Sequence, residues 1–72
     1  MSKNTASDLG PIDPLLTARE GAKVLNISLP TFWRRVADGT ITRPVKLGAA
    51  SRWPQSEIVA VIEAAKADRD DA

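Results

Sequence analysis

The chain has no cysteine and no histidine among its 72 residues. The first absence excludes a disulfide framework and a thiolate zinc site. The second removes the commonest general base, the commonest metal ligand and every Ser-His or Cys-His nucleophile arrangement. Tyrosine is also missing, and the aromatic residues reduce to Phe32, Trp33 and Trp53. No apolar run approaches the roughly 20 residues that a membrane span needs, and no secretory pattern opens the chain. Isolated carboxylates such as Asp38 and Glu57 have no base, metal cluster or phosphate loop to join them. The expectation is therefore a cytoplasmic protein that is not an enzyme, has no cofactor and no metal, and does not enter a membrane. Its length suits one small domain, near the lower limit for a self-sufficient core.

Charge nearly cancels in total but is uneven in distribution. The net charge is +1. Residues 19–52 carry seven cations (Arg19, Lys23, Arg34, Arg35, Arg43, Lys46, Arg52) against Glu20 and Asp38, a net +5. Residues 1–18 carry Lys3 against Asp8 and Asp13, a net −1. Residues 53–72 carry Lys66 and Arg69 against Glu57, Glu63, Asp68, Asp70 and Asp71, a net −3. A basic middle between acidic ends is the footprint expected of a surface that meets nucleic acid.

The most informative stretch is Ile27-Ser28-Leu29-Pro30-Thr31-Phe32-Trp33-Arg34-Arg35-Val36-Ala37-Asp38-Gly39. Ser28 is a good N-cap, because its hydroxyl can accept from first-turn N–H groups. Pro30 falls in that first turn, where its missing N–H costs nothing. Gly39 suits the left-handed residue that closes a helix. At about 100° per residue, Leu29, Phe32 and Val36 share the inner face. Pro30, Arg34 and Ala37 lie opposite, and Thr31 and Trp33 flank them.

The flanking segments complete a small domain. Residues 1–14 read as a disordered polar N-terminal arm, and residues 15–67 as the folded unit. Thr17 and Glu20 have capping-box spacing, which starts a first helix over about residues 18–25. Ala18, Ala22 and Leu25 share its inner face, and small neighbours such as Gly21 let another helix approach. Asn26 tolerates a left-handed turn. Residues 40–53 change to β-favouring chemistry, with two short runs, 44–47 and 51–53, around the turn stretch 48–51. Alternation separates Val45 and Leu47 from Lys46, and the aliphatic pair is expected to pack while the cations face out. Trp53 is expected in the core. A last helix follows from Pro54 to about Ala67, with Ile58, Val61, Ile62 and Ala65 as its buried stripe. Residues 68–72 read as a frayed acidic tail. The fold class expected is mainly α with a small β-hairpin: a winged helix-turn-helix, in the order helix, turn, helix, wing, helix.

The residues "TFWRRVADGTITRPVKLG" followed by "SRWPQSEI" resemble the AlpA family of small phage-type regulators. That family is similar in turn to excisionases and to the DNA-binding domain of MerR-type regulators. The resemblance runs from about Leu15 to Ile62 and spans three separate elements. It implies a recognition helix presenting Thr31, Trp33 and Arg34, and a wing carrying Lys46 and Arg52. Arg35 stands where an aliphatic is common, so its stem is expected to lie along the core. Leu29-Pro30 stands where polar or basic residues are usual.

Together these readings set the functional expectation. Thr31, Trp33, Arg34 and Arg35 are the expected DNA contacts of the recognition helix, and Arg43, Lys46 and Arg52 those of the wing. Arg34 is the candidate base-edge contact, while Lys46 and Arg52 suit phosphates. With no effector-binding region expected after the last helix, the protein is expected to act by occupying and bending double-stranded DNA. Two roles fit: a transcriptional regulator of a mobile element, or an excisionase-type recombination directionality factor working with an integrase, singly or in arrays. The contrasting reading is a small protein-interaction adaptor that uses Trp33 and Leu29-Pro30 as its binding patch and does not bind DNA.

Overall fold

The computed structural model describes residues 12–71. Most of the arm expected over residues 1–14 therefore lies outside the described residues. Three helices and a three-stranded antiparallel sheet follow one another as β1 (Leu15–Leu16), α1 (Ala18–Leu25), α2 (Leu29–Ala37), β2 (Val45–Leu47), β3 (Ala50–Pro54) and α3 (Gln55–Asp71). Among the described residues no helix is long and apolar enough to cross a membrane.

Local sequence signals account for the first two helices. Thr17 Oγ1 accepts from the Glu20 N–H at 3.0 Å, and Glu20 Oε1 accepts from the Thr17 N–H at 2.8 Å, which closes the capping box and fixes where α1 begins. Asn26 ends α1 in the left-handed region, with φ 57°. Ser28 caps α2 by accepting from the Thr31 N–H at 3.2 Å. Gly39 takes the positive φ, 89°, just beyond the C-cap Asp38.

The core is built on Ala22, Phe32, Ile41, Trp53 and Ile58. Phe32 and Trp53 meet edge to face, with centroids 4.9 Å apart, an arrangement favoured by the ring quadrupoles. The buried indole N–H of Trp53 donates to the Thr42 carbonyl at 2.8 Å. Around this centre pack the partly buried Leu16, Ala18, Leu25, Ile27, Leu29, Val36 and Val61.

The sheet departs from expectation in two ways. Its order is β1-β3-β2, and β1 pairs Leu15 with Pro54 and Leu16 with Trp53. A two-residue strand is too short to show alternation, so it leaves no mark in the sequence. The second departure is the phase of the hairpin. Val45 pairs with Arg52, Lys46 with Ser51 and Leu47 with Ala50. Side chains alternate along a strand, so Ser51 shares the face of the buried Trp53, and so does its partner Lys46. Val45 and Leu47 lie on the outer face and are exposed. The expectation that they pack and Lys46 points away is thus reversed: Trp53, not the aliphatic pair, sets which face is inner. The turn is also tighter than the stretch 48–51. Residues 48 and 49 make it, with Gly48 at φ 63°, and Ala50 and Ser51 already belong to β3.

The last helix starts later and ends later than expected. Pro54 closes β3, and α3 begins at Gln55. Its start is tied to the residues ahead of β1. The Gln55 N–H donates to the Pro14 carbonyl at 2.8 Å, and the Asp13 carboxylate accepts from the Ser56 N–H at 2.9 Å and the Ser56 hydroxyl at 2.6 Å. The Ser56 bonds hold the Asp13 carboxyl below its usual pKa. Asp13 and Pro14 are thus joined to the folded unit. Ile58 is fully buried and Val61 and Ile62 partly so, but Ala65 is exposed, which shortens the expected stripe. The helix runs on through residues 68–71, in place of the expected frayed tail. Good helix formers from Ala64 to Ala67 carry it past the core.

Candidate nucleic-acid interface

Helix α2 sorts its side chains by angle around Phe32, which is wholly buried. Arg34 lies about 200° round the helix from Phe32 and so points to solvent. It is exposed, and among the described residues its side chain makes no hydrogen bond or ion pair. Trp33 stands between the two directions. Its ring packs on Trp53 at 5.5 Å and on Phe32 at 6.2 Å, both edge to face, yet the residue remains 43 % exposed. An indole held by two buried rings on one side and open on the other is a rigid apolar surface with little rotamer entropy left to lose on contact.

Thr31 serves the start of the helix as well as its surface. Its hydroxyl accepts from the Ser28 hydroxyl at 2.8 Å. A hydroxyl that accepts one bond keeps its own proton to donate.

Arg35 is directed elsewhere. It lies about 200° from Trp33, and its guanidinium donates to the Asp38 carboxylate at 3.0 Å. Its stem helps line an open apolar groove of about 290 Å³ with Leu25, Ile27, Ile41, Val61 and Ile62. The structure therefore turns Arg35 away from Trp33; Arg35 shares a flank of α2 with Thr31, one turn earlier, but its guanidinium is engaged by Asp38. Asp38 is the organising group at this corner. Its carboxylate accepts from the Thr40 N–H at 2.9 Å as well as from Arg35. The Thr40 bonds first, and Arg35 second, draw its pKa down to about 2 from an ordinary 3.8. The Asp38-Gly39-Thr40 run is the sequence signal for this turn, since an aspartate often accepts from the N–H two residues on.

The hairpin cations are divided as well. Lys46 is on the helix side of the sheet, the face of Trp53 and hence of Trp33, and donates to the Ser51 hydroxyl at 3.0 Å. Arg52 is on the outer face and donates to the Ser51 carbonyl at 2.9 Å. Arg43 is exposed in the connection that leads into β2. That connection is fixed on either side of it: the buried Ile41 donates its N–H to the Arg35 carbonyl at 3.1 Å, and the Thr42 hydroxyl donates to Glu57 at 2.8 Å. The Thr42–Glu57 and Asp13–Ser56 bonds have no signal in the sequence, because their partners are 15 and 43 residues apart.

The arrangement sets Arg34 at the middle of the solvent side of α2, with Thr31 and Trp33 on its two flanks, and places Lys46 on the sheet face that Trp33 borders. This is a surface of donors, cations and one rigid aromatic, the chemistry that suits phosphate oxygens and base edges. Comparison of the chain with protein families, with curated proteins and with solved structures returns no match.

Proposed function

We propose that this chain is a winged helix-turn-helix protein that binds double-stranded DNA, with α2 as the recognition helix and the β2–β3 hairpin as the wing. The observation that carries the reading is Arg34: an exposed guanidinium without an internal partner, on the side of α2 opposite its buried ring, beside the braced indole of Trp33. The +5 charge of residues 19–52 and the place of Lys46 on the helix side of the sheet support it. In this reading α2 enters the major groove and Lys46 meets the adjacent backbone. Arg43 reaches phosphates from the fixed connection, and Arg35 serves the turn at Asp38.

The resemblance to the AlpA family supports a mobile-element setting in the cytoplasm, as an excisionase-type directionality factor or a transcriptional regulator that occupies and bends DNA. An in vitro excision assay with the neighbouring integrase separates the two roles. The DNA reading itself is tested by titrating the chain against duplex DNA at several salt concentrations. The logarithm of the binding constant should fall with the logarithm of salt, at a slope of about −0.9 per phosphate neutralised. A flat response between low and physiological salt overturns it and favours an adaptor.

A further inference from the structure

We propose that the outer face of the sheet docks the projecting end of α3 from a second copy of this chain. Three cross-strand pairs make up this face: Leu15 with Pro54, Arg52 with Val45, and Ala50 with Leu47. Leu15, Val45 and Leu47 are 45 %, 42 % and 53 % exposed. Large aliphatics on consecutive rungs of one sheet face ordinarily lie under another layer. Here the described residues leave them open.

The chemistry of the face selects its occupant. Arg52 sits among the aliphatics, so stacking two such faces about a two-fold axis would bring guanidiniums together. The complement must be apolar, low in relief and acidic. Helix α3 offers that surface. It runs past the core, and every residue from Glu63 to Arg69 is exposed. Ala60, Ala64 and Ala67 fall on one stripe at i, i+4 and i+7, flanked by Glu63 and Asp68. Small side chains let the helix lie close on the aliphatic rungs, and Asp68 supplies the carboxylate for Arg52. Glu63 and Asp68 border the stripe, whereas Lys66 and Arg69 fall on the other side of α3, so the stripe is opposite in sign to the face it meets. Opposed charges set register and orientation in such a contact.

The contact is heterologous, sheet face to helix end, so each added copy leaves one of each surface free and the assembly stays open. It is also weak. The open aliphatic area is a few hundred Å² at most, against about 800 Å² per partner in a standard stable interface. The proposal does not rest on DNA binding, and its test contains no nucleic acid.

The test is sedimentation velocity of the full chain up to about 1 mM, where a contact of about −4 kcal/mol becomes half-populated. The sedimentation coefficient should rise with concentration. Leu47→Asp, Arg52→Glu and Asp68→Arg should each weaken association at least tenfold while leaving the circular dichroism spectrum unchanged. An equimolar mixture of Leu47→Asp and Asp68→Arg chains should recover dimers and nothing larger, since each supplies the surface the other lacks. Joining Arg52→Glu and Asp68→Arg in one chain should restore growth. A wild-type chain that stays monomeric overturns the proposal. So does association that Asp68→Arg leaves unchanged, which would mean that the face takes some other occupant.

Discussion

Gly21 and Phe32 are in contact through a missing atom: a Cβ built on Gly21 would come 2.8 Å from Phe32 Cε2 and 3.1 Å from Cζ. Here α1 comes close against the ring of α2, and this sets two opposing terms for Gly21→Ala. Alanine in a helix interior gains about 1 kcal/mol over glycine. Overpacking a filled core costs about 1–3 kcal/mol. The Phe32 ring is wholly buried and braced against Trp53, so it has no room to swing aside. The clash should win, with a net loss of about 1 kcal/mol and a thermal midpoint about 4–8 °C lower. A rise in the midpoint would mean that the ring yields and helix propensity decides.

The same ring carries a larger share of the core. Phe32→Ala removes the edge-to-face partner of Trp53 and the floor beneath Trp33. Truncations of this kind cost about 3–5 kcal/mol, comparable with the whole stability of so small a domain. Chemical denaturation should show either no cooperative transition or a midpoint far below wild type. The near-ultraviolet dichroism of the tryptophans should collapse with it. A variant with both signals intact would show that the rings hold each other without Phe32.

Acid should act through Asp38. Its folded-state pKa is about 2, below the ordinary 3.8. A depressed carboxylate adds stability that is present above the unfolded value and is lost as pH falls through the folded one. The window is therefore about pH 4 down to 2. Asp13, also depressed, contributes in the same direction. Asp38→Asn should lower stability at neutral pH and flatten the decline across that window. A variant whose acid transition still coincides with wild type would show that Thr40 and Arg35 are not what the proton disrupts.

How much of the fold is legible in the sequence depends on the range of each signal. Thr17–Glu20, Asn26, Ser28 and Gly39 act within a turn of themselves, so the sequence alone bounds both short helices. Phe32 and Trp53 can be placed inside because large aromatics dominate the burial of a small domain. The hairpin is legible in its place but not in its phase. Val45 and Leu47 look like the inner pair to any alternation argument, and only the pairing of Lys46 with Ser51, two residues before Trp53, shows that they face out. Among the expected site residues, helical angle correctly distinguishes Arg34 from the core. It does not reveal that Asp38 engages Arg35, because that pairing depends on how the chain leaves α2.

Arg34→Ala and Lys46→Ala should fail differently if the DNA reading holds. Arg34 projects from the solvent side of α2 and has no internal partner to lose. Lys46 lies on the helix side of the hairpin and gives up only a bond to the Ser51 hydroxyl. Neither change should alter the fold, since both side chains are exposed. Base contacts specify, and phosphate contacts position. Loss of Arg34 should therefore cost about 1–3 kcal/mol more on a cognate duplex than on a scrambled one, and relax preference at one or two base pairs. Loss of Lys46 should weaken both duplexes alike and make the salt slope shallower by about 1. The measurement is a titration of each variant against both duplexes at two salt concentrations. If Lys46→Ala changes sequence preference and Arg34→Ala does not, the hairpin reads the bases. The groove assignment of α2 is then wrong, although DNA binding itself would stand.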